Sequence, residues 1–368
     1  MRRGHRFLAY SLGAVATASA AGRLITRRDG KRHDPAADEP LGAIRGDPSR
    51  VMGPGGHRLH TEHFPAAIGP GVPGTPGTLV LTHGWCMTEA AWHYQKRDLA
   101  GGRFNLVTWD LPGHGHSEAL PRDHLSLDHA ADALAAVIDA HAEGDVLLVG
   151  HSFGGAVAIR YLAAHTATAK RRVRGVVLAS TPLMHVARTV AGRWPWAGIE
   201  ARILAGMMER VVRSGLTDRV LGRDVGMPEV SRLSYRLVRV GFGDHPLPSH
   251  VRFMRDVIAS VPPEVRADTF RTMNGYDSRP DLDRIAVPSL VVAGARDRLI
   301  SPADSVAMAS RLRRGRHLLL PGAGHAVFIE AHEALNEAVL RFASRRLTSR
   351  PRPRPRAAGR ASGRSPAR

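Results

Sequence analysis

The stretch DVLLVGHSFGG, residues 145–155, decides the fold. An apolar run ends at Gly150, and Ser152 then stands between Gly150 and Gly154. The next residues, GGAVAIRYLAAHT (154–166), have helical spacing. A strand that stops, a glycine-flanked serine and a helix that starts form the context of a nucleophile elbow, Gly-x-Ser-x-Gly. Such a turn forces its central residue into strained backbone angles, and Gly150 and Gly154 leave room for the close approach of strand and helix. The hydroxyl is then exposed above the sheet edge, over a helix N-terminus that carries unpaired N–H groups and a partial positive charge. A glycine-rich turn with a chance serine is the alternative, and the partners of Ser152 decide between them.

Outward from this point the chain alternates. Short apolar runs lie at TLVLTHG (78–84), NLVTWD (105–110), DVLLVG (145–150), VRGVVLAST (173–181), SLVVAGARD (289–297) and RHLLLPGAGH (316–325). Runs this apolar suit strands of a parallel sheet covered on both faces. Helical patterns separate them at 125–142, 154–166, 302–314 and 328–346. The expected fold is a mostly parallel, doubly wound α/β sheet with helices on both faces. GHRLHTEHF (56–64) alternates and is expected as an antiparallel edge strand. The alternation breaks over 183–272, which is arginine-rich and helix-patterned. That segment is expected to be a helical cap inserted after the sixth core strand, dividing the core into 48–182 and 273–346. Its Trp194, Trp196, Leu204, Met207 and Met208 would either line an apolar pocket or pack the cap onto the core.

A serine hydroxyl is a weak nucleophile until a base takes its proton. His325, in a glycine-rich loop after the last strand candidate, is the expected base. Asp297, at the end of the preceding strand, is the expected carboxylate that orients the imidazole. Asp277 is a rival for that role, and a helix cap or turn residue is the plainer reading of Asp297. Asp128, Asp132 and Asp139 lie at helical spacing and are expected on a solvated face. His185 and His245 border or lie within the cap and are expected to be exposed, with contact to substrate as the alternative.

The order Ser152, Asp297, His325 resembles the α/β-hydrolase superfamily over roughly residues 48–346. THGW (82–85) and DLPGHGHS (110–117) are similar to two further loops of that family. The resemblance implies that the backbone N–H groups of Trp85 and Phe153 form an oxyanion hole. It also implies that His83, Gly84 and His114 orient loops. The nucleophile is a serine and not an aspartate, which argues against epoxide hydrolase and haloalkane dehalogenase chemistry. His83 is not followed by a run of glycines, unlike the HGGG esterases. The implied activity is that of a serine hydrolase, most of all on carboxylic esters, with no cofactor. Acyl transfer to another acceptor, perhydrolysis and carbon–carbon bond hydrolysis use the same triad. A non-catalytic binding protein on this fold is the third reading.

Length and charge set outer bounds. The chain has 368 residues, 43% of them hydrophobic, which suffices for one large domain with an insertion. Cys86 is the single cysteine, so no intrachain disulfide forms, and it is expected to be a buried small hydrophobe. No CxxC, HExxH, P-loop or GxGxxG pattern appears, so neither a metal nor a nucleotide is expected. The net charge is +19, carried almost wholly by arginine. Residues 347–368 contain no acidic residue and little to bury, and are expected to be a disordered tail. Arg2, Arg3 and Arg6 precede an apolar, small-residue stretch (7–22) with an A-x-A, so 1–28 are expected to be a signal peptide or membrane anchor, and the protein exported or membrane-associated. Residues 29–47 are expected to be a linker. A small acyl substrate is the expected partner, and nucleic acid is not.

Overall fold

A computed structural model describes residues 33–67, 76–121, 125–142, 144–184 and 228–347. The expected leader (1–28), the first part of the cap with the five apolar residues named above, His185, and residues 348–368 lie outside the described residues.

Eight strands form one sheet: β1 (Asp47–Met52), β2 (Arg58–Phe64), β3 (Thr78–Thr82), β4 (Asn105–Trp109), β5 (Val146–His151), β6 (Val173–Ala179), β7 (Ser289–Gly294) and β8 (Gly315–Leu320). Their spatial order is β1-β2-β4-β3-β5-β6-β7-β8. β1 pairs antiparallel with β2, and β2 antiparallel with β4; all other pairs are parallel. Every residue of β3, β4, β5 and β7 is buried, as expected for strands covered on both faces.

Alternate residues serve opposite layers. Val80, Leu148, Val176 and Val291 face the helices Leu127–His141 and Phe153–Ala164. Leu79, Leu147, Val177 and Val292 face the layer of His93–Leu99 and His332–Ser344. Each such side chain contributes roughly 1.5–3 kcal/mol by leaving water. The helix Leu127–His141 starts where Ser126 Oγ accepts the N–H of His129 at 3.1 Å, a serine N-cap.

Two elements differ from the sequence reading. β2 is not an edge: β1, with its largely exposed run DPSRVM, lies outside it. Exposed strands lack the apolar alternation that marks half-buried ones, so β1 leaves little signal. The described part of the expected linker, 33–46, is tied down. Asp34 accepts from Ser249 N and Ser249 Oγ, both at 2.8 Å, and Glu39 accepts from Tyr94 Oη at 2.9 Å and Arg97 Nη1 at 2.9 Å. Leu347, at the start of the expected tail, is buried in the core.

The described part of the cap region, 228–275, holds the helices Pro228–Arg239, Pro248–Ser260 and Pro263–Gly275 between β6 and β7. No described helix is long and apolar enough to cross a membrane.

The helix His93–Leu99 carries a lysine into the core. Lys96 is 1% exposed, and its Nζ meets Glu62 Oε2 at 2.6 Å and Glu89 Oε2. Burial opposes the Glu62 charge, but His60 and Lys96 outweigh it and hold the carboxyl down at about 2. Its contribution to stability is therefore full above the ordinary carboxylate value and is lost as pH falls towards 2. Lys96→Met leaves two buried carboxylates without their lysine, and is expected to cost about 3–5 kcal/mol in urea unfolding at neutral pH. A loss below about 1 kcal/mol would show that the cluster does not depend on the lysine.

Candidate active site

Ser152 sits where β5 ends and the helix Phe153–Ala164 begins, with φ 50° and ψ −115°. A non-glycine residue at positive φ is strained, and the surroundings hold it there. Ser152 N donates to Ala179 O of β6 at 2.8 Å, and Ser152 O accepts from Gly155 N at 3.0 Å. A Cβ on residue 154 would stand 2.2 Å from Thr82 O and 2.4 Å from His83 O; one on residue 150 would stand 2.6 Å from Gly154 O. Only glycine permits this approach of the helix to the ends of β5 and β3. Phe153 is the first residue of the helix, and N–H groups of a first turn have no partner within their own helix.

Asp297 and His325 meet. His325 Nδ1 lies 2.9 Å from Asp297 Oδ2. The other carboxylate oxygen accepts Leu299 N at 2.8 Å and Ile300 N at 2.9 Å, so the carboxylate is held on both sides. With Nδ1 as donor to Asp297, Nε2 is left as the basic lone pair of the ring. Both residues are buried. Asp277 lies elsewhere: its Oδ2 accepts from Arg279 Nη2 at 2.6 Å.

Two residues that the sequence reading passed over hold the loop of His325. His151, the residue before Ser152, places Nε2 3.0 Å from His325 O, with the two rings 4.9 Å apart. A carbonyl only accepts, so His151 Nε2 carries the hydrogen. Burial, with the nearby His325 adding to it, pushes His151 well below the ordinary imidazole value and keeps it neutral. Glu330 accepts Gly243 N at 2.7 Å through one oxygen and Gly324 N at 2.8 Å through the other. Burial raises its carboxyl to about 7 against these two hydrogen bonds. Gly241 O accepts both His325 N and Ala326 N, at 2.9 and 3.1 Å. The loop of His325 is thus laced to the turn after the cap helix Pro228–Arg239. His151 had a signal, its place inside the serine motif; Glu330 had none, because its partners are backbone groups 87 and 6 residues away.

The loop after β3 is braced by histidines. His83 Nδ1 donates to Gly84 O at 2.9 Å, and its Nε2 accepts Leu111 N at 3.0 Å, joining this loop to the one after β4. His114 Nδ1 donates to Pro112 O at 3.0 Å, and its ring lies 5.3 Å from that of His83. Burial, with His114 adding to it, lowers His83 to about 3, and burial lowers His114 to about 4. Both are therefore neutral hydrogen-bonding struts at neutral pH. Gly84 lies against the buried His151 ring. Trp85 Nε1 donates to Arg266 O at 2.7 Å, and its ring lies 5.3 Å from Phe270, which fastens the loop to the cap helix Pro263–Gly275. Cys86 is buried, and burial pushes its thiol well up, away from nucleophilic use. Asp128, Asp132 and Asp139 pair on the surface with Arg160, His165 and Arg172. His245 is exposed.

The constellation places a serine on a strained turn and a histidine–carboxylate pair on neighbouring loops, all beyond the C-terminal ends of parallel strands. That arrangement suits nucleophilic attack on an acyl carbon.

Known proteins resemble the chain along most of its length. The family model described as Alpha/beta hydrolase family matches residues 79–338. Pimeloyl-[acyl-carrier protein] methyl ester esterase of Xanthomonas campestris pv. campestris is 31% identical over 276 residues, covering 72% of this chain and 94% of that protein. AB hydrolase superfamily protein YisY of Bacillus subtilis is 28% identical over 300 residues, covering 78% of this chain and 99% of that protein. Among solved structures, a thermophilic esterase from Thermogutta terrifontis superposes with a TM-score of 0.64 at 23% identity, covering 82% of this chain and 99% of that chain. A bromoperoxidase from Bacillus anthracis superposes with a TM-score of 0.62 at 19% identity, covering 81% and 99%. With the elbow, the parallel sheet and the extent of these matches in hand, this chain belongs to the α/β hydrolase family.

Proposed function

We propose that the protein hydrolyses carboxylic esters through an acyl-enzyme on Ser152. The observation that carries this reading is the Asp297–His325 hydrogen bond, tied through the His325 carbonyl to His151, the residue beside the strained serine. His325 Nε2 takes the proton of Ser152 as Oγ attacks the ester carbon. Asp297 holds the ring in the required tautomer and balances the imidazolium that forms. The N–H groups of Phe153 and Trp85 receive the oxygen that becomes negative, where one donor is worth about 3–4 kcal/mol. His325 then protonates the leaving alcohol. Water, activated by the same base, releases the acid. No step needs a cofactor.

Substrates are proposed to be acyl esters with small leaving alcohols. The methyl ester esterases among the relatives support starting there. Trp85, tied to the cap helix through Arg266 O and Phe270, stands at the boundary of oxyanion loop and cap, where acyl length would be sensed. The leader-like residues 1–28 support an exported or membrane-associated location for this activity.

Hydrolysis of methyl and p-nitrophenyl esters of increasing acyl length is expected to peak at one chain length. Ser152→Ala is expected to lose on the order of 10⁶-fold in kcat, together with labelling by a fluorophosphonate, at nearly unchanged Tm. Turnover retained in that variant would exclude Ser152 as the nucleophile. Labelling of Ser152 without turnover of any ester would move the search to other acyl acceptors.

Asp297→Asn keeps the shape but offers His325 an amide. A fall in kcat of about 10⁴-fold is expected, measured on the best ester of the series. Asp277→Asn is expected to leave kcat within a few-fold. The reverse pattern would assign the orienting carboxylate to Asp277.

A further inference from the structure

Away from the serine, a second group of side chains converges at the junction of β2 and the loop after β4. The donor atoms of His60, Asp110 and His116 lie within 4.8 Å of one another. The His60 and His116 rings are 4.9 Å apart, and His116 Nδ1 is 3.9 Å from Asp110 Oδ2. Two of the three positions are set by the sheet. Asp110 N donates to His60 O at 3.0 Å, and the Asp110 carboxylate accepts Glu89 N at 2.8 Å and His116 N at 2.9 Å. The third is adjustable: the His116 side chain is 72% exposed. Tetrahedral coordination needs metal–donor distances of about 2.0–2.2 Å, so the three donors must draw together by roughly 1 Å, which rotation of His116 can supply.

Charge favours a cation here. Glu62, Glu89 and Asp110 are all buried, and Lys96 is the buried base among them. Arg45 reaches Glu62 Oε1 only from the solvent side, at 3.7 Å. Buried carboxylates in excess of buried bases must take up protons or another cation. The overlapping set His60, Glu62 and Glu89 is less suited, because Lys96 Nζ already occupies an oxygen of each glutamate. Access is open as well. A cavity of about 540 Å³ lies over the cluster, lined by His60 and His116 among others.

We propose that His60, Asp110 and His116 form a binding site for one divalent transition-metal ion, with water from the cavity completing its coordination. Two imidazoles and one carboxylate select zinc, nickel or copper over magnesium and calcium. Asp110 Oδ1 also lies 3.9 Å from His83 Nε2, so the cluster adjoins the brace of the loop after β3. No linear motif announces it, because its ligands are brought together by the β2–β4 pairing and a loop.

The test is titration of the full-length, untagged, chelator-treated protein with Zn²⁺ by calorimetry. The expected result is binding of about one equivalent that excess Mg²⁺ does not compete away, with affinity at least about 10-fold weaker in His116→Ala and in His60→Ala. His116 is exposed, so His116→Ala folds and keeps the test decisive. Absence of Zn²⁺ binding, or affinity unchanged in His116→Ala, would overturn the proposal.

Discussion

The carbonyl oxygens of Thr82 and His83 occupy the space where a side chain on residue 154 would stand. The rest of the site depends on that contact. It sets how closely the helix after β5 approaches the end of β3, and hence how sharply the chain must turn at Ser152. The positive φ of Ser152 follows from the sharpness of the turn. The same packing lays the first turn of the helix beside the loop that carries Trp85. One steric constraint thus places Ser152, Phe153 and the loop of Trp85 together, and it is met by the absence of two Cβ atoms.

The base is held by a different logic. His325 lies on a loop, and a loop must be tied to keep a ring oriented. Asp297 fixes one nitrogen, His151 binds the carbonyl, Gly241 O receives two backbone N–H groups, and Glu330 bridges Gly324 to Gly243. Two of these ties lead to the turn after a cap helix. The loop of His325 is therefore tied to the turn after one described cap helix, as the loop of Trp85 is tied to another through Arg266 O.

Polar groups inside the molecule divide into two kinds. His83, His114 and His151 are buried, pushed below the ordinary imidazole value, and serve as neutral struts. Glu62, Glu89, Asp110 and Lys96 are buried with charge to balance. The first kind stiffens loops at little electrostatic cost. The second binds β2, β4 and the helix His93–Leu99 into one unit beside a cavity lined by His60, Glu62 and His116 together with Arg45 and Arg50.

What the sequence by itself determined is the alternation of buried strand and helix, the elbow at Ser152, and the order of serine, aspartate and histidine. These are local patterns: apolar runs report burial, and glycines beside a serine report a turn too tight for side chains. Helical patterning announced helices in the cap region, and the family resemblance carried the loop-bracing expectation for His83 and His114. The sequence put Asp297 ahead of its rival Asp277 by its place at a strand end, and the structure sets Asp297 against His325 while Asp277 pairs with Arg279. Tertiary structure alone revealed β1, the docking of residues 33–46, the ties through Glu330, and the His60–Asp110–His116 cluster. Each of these rests on contacts between distant segments or on backbone partners, and neither leaves a period or a motif in the chain.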